Sequence, residues 1–181
     1  MQGSRAAPCP NTGSDQGKPT TMRLFPNAAI LFAFALTAVA ADAAEPARTL
    51  KLRQEVPVVS QVDIGSKGAS HGDILAFQAR VTGDNGLAGT VHGTLITIDA
   101  ADGADKFEER TGQVYVDLGG GNMIVIAGLS VYADNSREMT VNAPQVRAII
   151  GGTGTYIGAA GQVTTTRNAD GSYEHLFQLL R

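Results

Sequence analysis

A glycine-rich loop followed by two alternating stretches constrains this chain more than any other feature. Residues 148–180 read AIIGGTGTYIGAAGQVTTTRNADGSYEHLFQLL, with GGTG at 151–154 and NADG at 168–171. Side chains alternate with a period of two on both sides of NADG, which predicts a β-hairpin around a turn. A dinucleotide-binding loop needs a third glycine and a helix after it. Ile157 occupies that glycine position and a strand pattern follows, so the loop does not indicate a nucleotide site.

The same alternation predicts strands through most of the chain. Six further strands are expected, at 53–62, at 73–82, around 91–98, and at 107–118, 122–132 and 146–150. Turn-forming residues separate these segments, and none carries helical periodicity. Eight short strands indicate an all-β fold, either a closed antiparallel barrel or a sandwich. A barrel of about eight strands has an interior that side chains fill or that holds one small ligand.

The N-terminal region has the pattern of a secretory signal peptide. Met22 and Arg23 open a positively charged segment, residues 28–39 are apolar, and A-x-A patterns follow at 38–40 and 41–43. The apolar segment is too short to remain as a membrane span. We therefore expect a disordered leader or mis-called start at 1–21, a signal peptide at 22–43 with cleavage near Ala43, and one domain at 44–181. The expected location is secreted or periplasmic, with no membrane association after cleavage.

Composition excludes several classes of function. From residue 45 onward the chain has fifteen acidic and eleven basic residues, a net charge of −4 with neutral histidines. It has no basic run, so nucleic acid is not an expected partner. Cys9 is the only cysteine and lies in the leader, and the three histidines lack metal-ligand spacing. His92 and His175 are each expected in a strand, with a surface or structural role.

The predicted strand at 122–132 is apolar on both faces. Met123, Val125 and Leu129 alternate with Ile124 and Ile126. One face of a barrel strand is buried inside, so an apolar outer face implies that another subunit covers it. We therefore expect an oligomer.

Three motifs carry a resemblance to a known superfamily. VRAIIGGTGTY at 146–156 with GAAG at 158–161 resembles the G-G-T-G-x-[FY]-x-x-A-x-G signature of dirigent proteins and allene oxide cyclases. GDILAF at 72–77 and GTVHG at 89–93 are similar to two further motifs of these proteins, and the resemblance covers about residues 54–180. On these motifs the chain is identified as a bacterial-type secreted member of the allene oxide cyclase/dirigent-like barrel superfamily. The residues of the structural signature are Gly151, Gly152, Thr153, Gly154 and Gly161.

The resemblance implies an eight-stranded antiparallel calycin-like barrel. It also implies a homotrimer, a lumen that holds a hydrophobic small molecule, and no metal or organic cofactor. Allene oxide cyclases close a fatty-acid-derived epoxide, and dirigent proteins steer radical coupling, in both cases by confining a reactive molecule. The expected function is therefore binding of a hydrophobic small molecule, with its cyclisation or coupling steered inside the barrel. The alternatives are a true isomerase acting on an epoxide or oxylipin, and an extracellular structural module.

Candidate site residues follow from the strand faces and from the resemblance. Asp63 is a candidate catalytic acid because VDI at 62–64 resembles a dirigent motif, and Glu109 is another because it shares a strand face with Gln113 and Tyr115. That face of the strand points either into the lumen of the barrel or outward to solvent. Arg147 is a candidate partner for a ligand carboxylate or for an acid inside the barrel. The ligand-binding candidates are Phe77, Gln113, Tyr115, Tyr132 and Arg147. Tyr156, Tyr173 and Phe177 are further rings that could line an apolar pocket, although packing in a core or interface is the more common use of such rings.

The interior of the barrel discriminates among the three functions. An isomerase predicts an acid, Asp63 or Glu109, inside the barrel with a shifted pKa. A structural module predicts an interior packed with aliphatic side chains and no pocket.

Overall fold

The structure, a computed structural model, describes residues 45–101, 107–133 and 136–180. The predicted leader and signal peptide lie outside these residues. The strands are β1 (Arg48–Gln54), β2 (Val58–Val62), β3 (Ile74–Gly83), β4 (Ala88–Asp99), β5 (Phe107–Asp117), β6 (Met123–Ala133), β7 (Gln145–Thr153), β8 (Gly161–Arg167) and β9 (Tyr173–Leu179). The helical content of the described residues is two single 3-10 turns, Asp84–Gly86 and Gly154–Tyr156.

The strands form one closed antiparallel barrel. Neighbours follow in the order β1-β9-β8-β7-β6-β5-β4-β3-β2, and β1 also pairs with β3, which closes the sheet. Leu52–Gln54 pair with Val81–Gly83, and β2 pairs with Ile74–Gln78 further along the same strand. β1 and β2 thus together take the place of one strand in the barrel, which is therefore eight-stranded. The predicted fold class is confirmed.

β1 and β2 replace the single strand that the sequence predicts at 53–62. Strand pairing with β9 begins at Arg48 and ends where Gln54 pairs with Tyr173. Residues 55–57 separate β1 from β2. Pro57 explains the interruption, because proline has no N–H for a ladder hydrogen bond. Past the break, β2 is bonded to β3 and its other edge is no longer paired with β9.

Two apolar clusters occupy the barrel interior. The larger fills one end and includes the fully buried side chains of Leu52, Ile124, Val163 and Phe177. The smaller, at the other end, consists of Leu75, Leu95, Tyr132, Met139 and Tyr173. The inward positions alternate along each strand as the sequence predicts, for example Leu75, Ala79 and Val81 on β3.

The GGTG loop is a tight crossing between strands. Gly154 has a φ of +60°, and a Cβ at Gly152 would lie 2.6 Å from the carbonyl oxygens of Met123 and Tyr156. After the 3-10 turn the chain enters β8 and then β9, which pair in register as a hairpin. The predicted hairpin is therefore confirmed, and the loop serves backbone packing. No helix among the described residues is long and apolar enough to cross a membrane.

Candidate functional site

A cavity lies inside the barrel between the two apolar clusters. Its atom-free space is about 550 Å³ out to the mouth, and the centre of a water molecule can reach about 40 Å³ of it. One side of its wall is apolar and comes mainly from Leu75, Phe77, Val91, Val114, Val116 and Ile126. The other side is polar and comes from Gln54, Tyr132, Arg147, Thr165, Tyr173 and His175. Such a mixed lining is typical of ligand sites.

Arg147 projects into this cavity from the inner face of β7. Its side chain is 9% exposed, and the neighbours Val146 and Ala148 point outward. The stem of Arg147 passes over Gly128 of β6, where a Cβ would lie 3.4 Å from Arg147 Cγ. Gly112 of β5 pairs directly with Gly128. The glycine at 128 therefore leaves space for the Arg147 side chain, whereas a Cβ at Gly112 would instead meet Thr94 and Leu95 of β4.

Arg147 is a buried cation without an ionic partner among the described residues. Every ion pair found there involves another basic residue, and Arg147 Nε has no hydrogen-bond partner. Burial lowers the pKa of Arg147, while the tyrosines Tyr132 and Tyr173 oppose this shift. An arginine side chain stays protonated in proteins, so an uncompensated positive charge lies in the cavity wall.

A second buried arginine, Arg110 on β5, is compensated. Arg110 Nη2 donates to Glu108 Oε2 at 2.5 Å and to the Ser136 carbonyl oxygen at 2.9 Å. Its guanidinium carbon lies 4.4 Å from the centre of the Tyr132 ring, in cation–π geometry. The Glu108–Arg110 pair therefore satisfies its own charge, in contrast to Arg147.

His175 is held as a neutral ring on β9. Its Nδ1 lies 3.0 Å from Thr165 Oγ1 and its Nε2 lies 2.9 Å from Gln54 Oε1. A proton on Nε2 fits both contacts, because the Gln54 oxygen accepts and the Thr165 hydroxyl donates. Burial, with a smaller contribution from the Arg147 charge, lowers the pKa of His175 to about 3. His175 is thus uncharged at neutral pH. No group of three or more histidines, cysteines or acids among the described residues could hold a metal ion.

The segment from Ser136 to Val141 lies at the mouth of the cavity. Met139 is 3% exposed and packs with Leu75, Leu95, Tyr132 and Tyr173. Arg137 Nε donates to Gln61 Oε1 of β2 at 3.0 Å. Glu138 forms an ion pair with Arg167, and Val141 bridges to the same residue. These contacts tie the segment to both β2 and β8.

The structure brings three of the predicted ligand-binding residues together and leaves the other candidates outside. Phe77, Tyr132 and Arg147 line the cavity. Glu109, Gln113 and Tyr115 lie on the outer face of β5, because Glu108, Arg110, Val114 and Val116 occupy the inner face. Asp63 is exposed in the loop after β2, where its carboxylate accepts the Gly68 N–H at 3.0 Å.

Sequence reasoning did not assign Gln54, Thr165 and His175 to the cavity. The signal for His175 was present, because period two places Tyr173, His175 and Phe177 on one face of β9. These three rings form a column, with centroid separations of 6.5 Å and 6.2 Å. Gln54 lacked such a signal, since its strand begins before the segment predicted from the pattern.

Gly128→Ala is expected to destabilise the barrel by about 1–3 kcal/mol, because its φ of +145° disfavours any residue with a Cβ. The added methyl group also meets the Arg147 stem. Urea unfolding measures the change. Gly151→Ala is the matched control, since a Cβ there meets nothing within 4 Å. Equal stability of the two variants would contradict the packing of Arg147 over Gly128.

The described strands form a closed eight-stranded antiparallel barrel with an interior cavity, which is the fold class that the sequence predicts. Among solved structures, a pyocyanin demethylase matches with a TM-score of 0.54 and 21% identity, over 73% of this chain and 98% of that chain. A pterocarpan synthase dirigent protein matches with a TM-score of 0.45 and 15% identity, over 73% of this chain and 83% of that one. No family model and no curated protein matches the sequence. At 21% identity, the likeness to the demethylase structure shows the fold alone.

Proposed function

We propose that this barrel binds a mostly apolar small molecule in its interior and steers the cyclisation or coupling of that molecule by confinement, without a bound cofactor. The observation that carries the proposal is the cavity, in which polar side chains converge on an otherwise apolar wall. A structural module gains nothing from the buried Arg147 charge, whose Nε lacks a hydrogen-bond partner among the described residues, since such a group costs stability. The similar demethylase is named for a small molecule, pyocyanin, which supports this class of ligand.

Confinement is favoured over an isomerase with an acidic proton donor. The described residues that line the cavity include no carboxylate. Burial raises the pKa of both Tyr132 and Tyr173, and His175 is neutral with both ring nitrogens in hydrogen bonds. None of these groups is tuned for proton transfer near neutral pH. The isomerase therefore remains the second candidate.

The proposal is tested by product chirality. Purified protein is incubated with oxylipin epoxides and, separately, with an oxidase and phenolic monomers, and the products are resolved on a chiral column. An enantiomeric excess that depends on the protein is the expected result. Racemic products formed at the uncatalysed rate in both assays would contradict the proposal that the protein steers the reactions of these substrates.

Val114→Phe is expected to abolish this excess, because Val114 is buried in the cavity wall and a larger ring fills the cavity. Gln113→Phe is the matched control, since Gln113 is the neighbouring residue on the outer face and should leave the excess unchanged. Circular dichroism and thermal unfolding establish that both variants are folded. An unchanged excess in folded Val114→Phe would place the reaction elsewhere.

We also propose that the barrel is an exported homotrimer. Support for the assembly comes from apolar side chains that remain exposed on β6 and β7, namely Leu129, Val131, Val146 and Ile150. We expect Val146→Asp to shift the protein toward a monomer in light scattering coupled to size-exclusion chromatography. A monomeric wild-type protein would contradict the covered outer face.

N-terminal sequencing of the exported product, expected to begin near Ala44, tests the signal peptide.

A further inference from the structure

We infer that the ligand of this cavity carries an anionic group, a carboxylate in its simplest form, and that the Arg147 guanidinium is its counter-ion. The inference rests on the proposed function, because it names the class of molecule that the cavity binds. The apolar part of such a ligand would lie against Leu75, Phe77 and Val91, on the wall opposite the polar side chains.

The first observation is the isolation of the Arg147 charge. Arg147 is nine-tenths buried and has no acid within ion-pair distance among the described residues. A buried charge is costly unless it is paired. The same barrel pairs its other interior arginine, since Arg110 contacts Glu108. One paired and one unpaired arginine in a single interior indicate that the second pairs with a group outside the described residues, and we assign that group to the ligand.

The second observation is the charge of the whole lining. The titratable groups of the described lining are Tyr132, Arg137, Arg147, Tyr173 and His175. None of these groups is negative at neutral pH, since burial raises the pKa of both tyrosines and lowers that of His175. The cavity is therefore positive and rich in hydrogen-bond donors. It disfavours a cationic ligand and complements an anionic one.

The third observation is geometric. The Arg147 stem crosses Gly128, where a Cβ would lie 3.4 Å from Arg147 Cγ, so the absence of a side chain at this inward position leaves space for the arginine. Arg147 Nε has no hydrogen-bond partner among the described residues. An arginine fork binds a carboxylate through two parallel hydrogen bonds.

The experiment compares acids with their matched alcohols. Benzoate, 2-naphthoate and 9-anthracenecarboxylate are titrated into the full mature protein at pH 7 by calorimetry, beside the corresponding arylmethanols. At least one acid is expected to bind 10- to 100-fold more tightly than its alcohol, which is the usual range for hydrogen bonds to a charged group. Arg147→Met should reduce this ratio to about one, and Arg147→Lys should retain part of it. Arg80→Met, which removes an exposed arginine from the outer face of β3, should leave the ratio unchanged.

A spectroscopic readout tests the ionic contact directly. A ¹³C label in the ligand carboxyl group reports its protonation, and the pKa of the bound acid should fall below that of the free acid. Alcohols that bind as tightly as the acids would overturn the anionic site and leave the proposed binding function in place. An acid preference that survives in Arg147→Met would also overturn it. If no acid or alcohol of the series binds, both the inference and the proposed function fail.

Discussion

Replacement of Arg147 by methionine is expected to stabilise the ligand-free barrel by about 1–3 kcal/mol. Methionine fills a similar volume and removes a charge that is buried without a partner among the described residues. Replacement of buried ion pairs by apolar side chains of similar size is often neutral or stabilising by about 1–4 kcal/mol, and Arg147 lacks even the compensating partner of such a pair among the described residues. Urea unfolding at pH 7 and thermal unfolding measure the change. Most buried-residue substitutions destabilise a protein, so the sign alone is informative.

Arg80→Met controls for the loss of an arginine as such. Arg80 is exposed on the outer face of β3, so its replacement should alter stability by no more than about 0.5 kcal/mol. A destabilised Arg147→Met would show that the charge has a compensating contact in the ligand-free protein, and the anionic site would then lose its main support. Stabilisation together with lost acid binding would show a site that is kept at a cost to stability.

Acid is expected to destabilise the barrel through His175 in a defined range of pH. The pKa of His175 is about 3 in the folded protein, against an ordinary value of 6.5. Between these values the unfolded chain binds one proton more than the folded chain. The free energy of unfolding therefore falls as pH falls from 6.5 toward 3, by about 1.4 kcal/mol per pH unit from this residue and by about 5 kcal/mol in total.

His175→Gln isolates this contribution. Glutamine can keep polar contacts with Gln54 and Thr165 but does not titrate. Free energies of unfolding are measured for both proteins from pH 7 to pH 4.5, and the difference should change by about 1.4 kcal/mol per unit below pH 6.5. Parallel curves would contradict the buried neutral histidine.

The pH range of these measurements lies above the range in which Asp73 titrates. Asp73 has a lowered pKa, chiefly because its carboxylate accepts the Ile64 N–H at 2.8 Å. The stability that Asp73 contributes is present above its ordinary pKa of 3.8 and is lost as pH falls below that value. Measurements above pH 4.5 therefore report His175 with little contribution from Asp73.

The strands were accessible from sequence because period two is a local signal. β3 and the β8–β9 hairpin alternate cleanly, and Arg147 lies two residues before the buried Ile149, which fixes its inward direction. On β5 the pattern defines two faces without stating which is inside. Polar residues occur on both, and the inner face carries the buried Glu108–Arg110 pair, which looks solvent-exposed in sequence. If the outer face of a strand is taken as the inner one, every side chain of the strand is assigned to the wrong side. Glu109, a candidate for the interior, lies on the outer face.

Tertiary relations account for the rest of the site. The partners of His175 come from β1 and β8, and the 121-residue separation between His175 and Gln54 leaves no local pattern. The glycines at 112 and 128 lie far apart in sequence from the arginine that one of them accommodates. Only the strand register brings them together.

The two apolar clusters at opposite ends of the barrel bear on how such a protein can diversify. The larger cluster holds most of the fully buried aliphatic side chains, among them Leu52, Ile124 and Val163, and lies away from the mouth. The polar side chains project from strands whose pairing does not depend on their identity. Substitutions among the polar lining residues can therefore change ligand chemistry while Leu52, Ile124 and Val163, which do not line the cavity, continue to hold the far end of the barrel together.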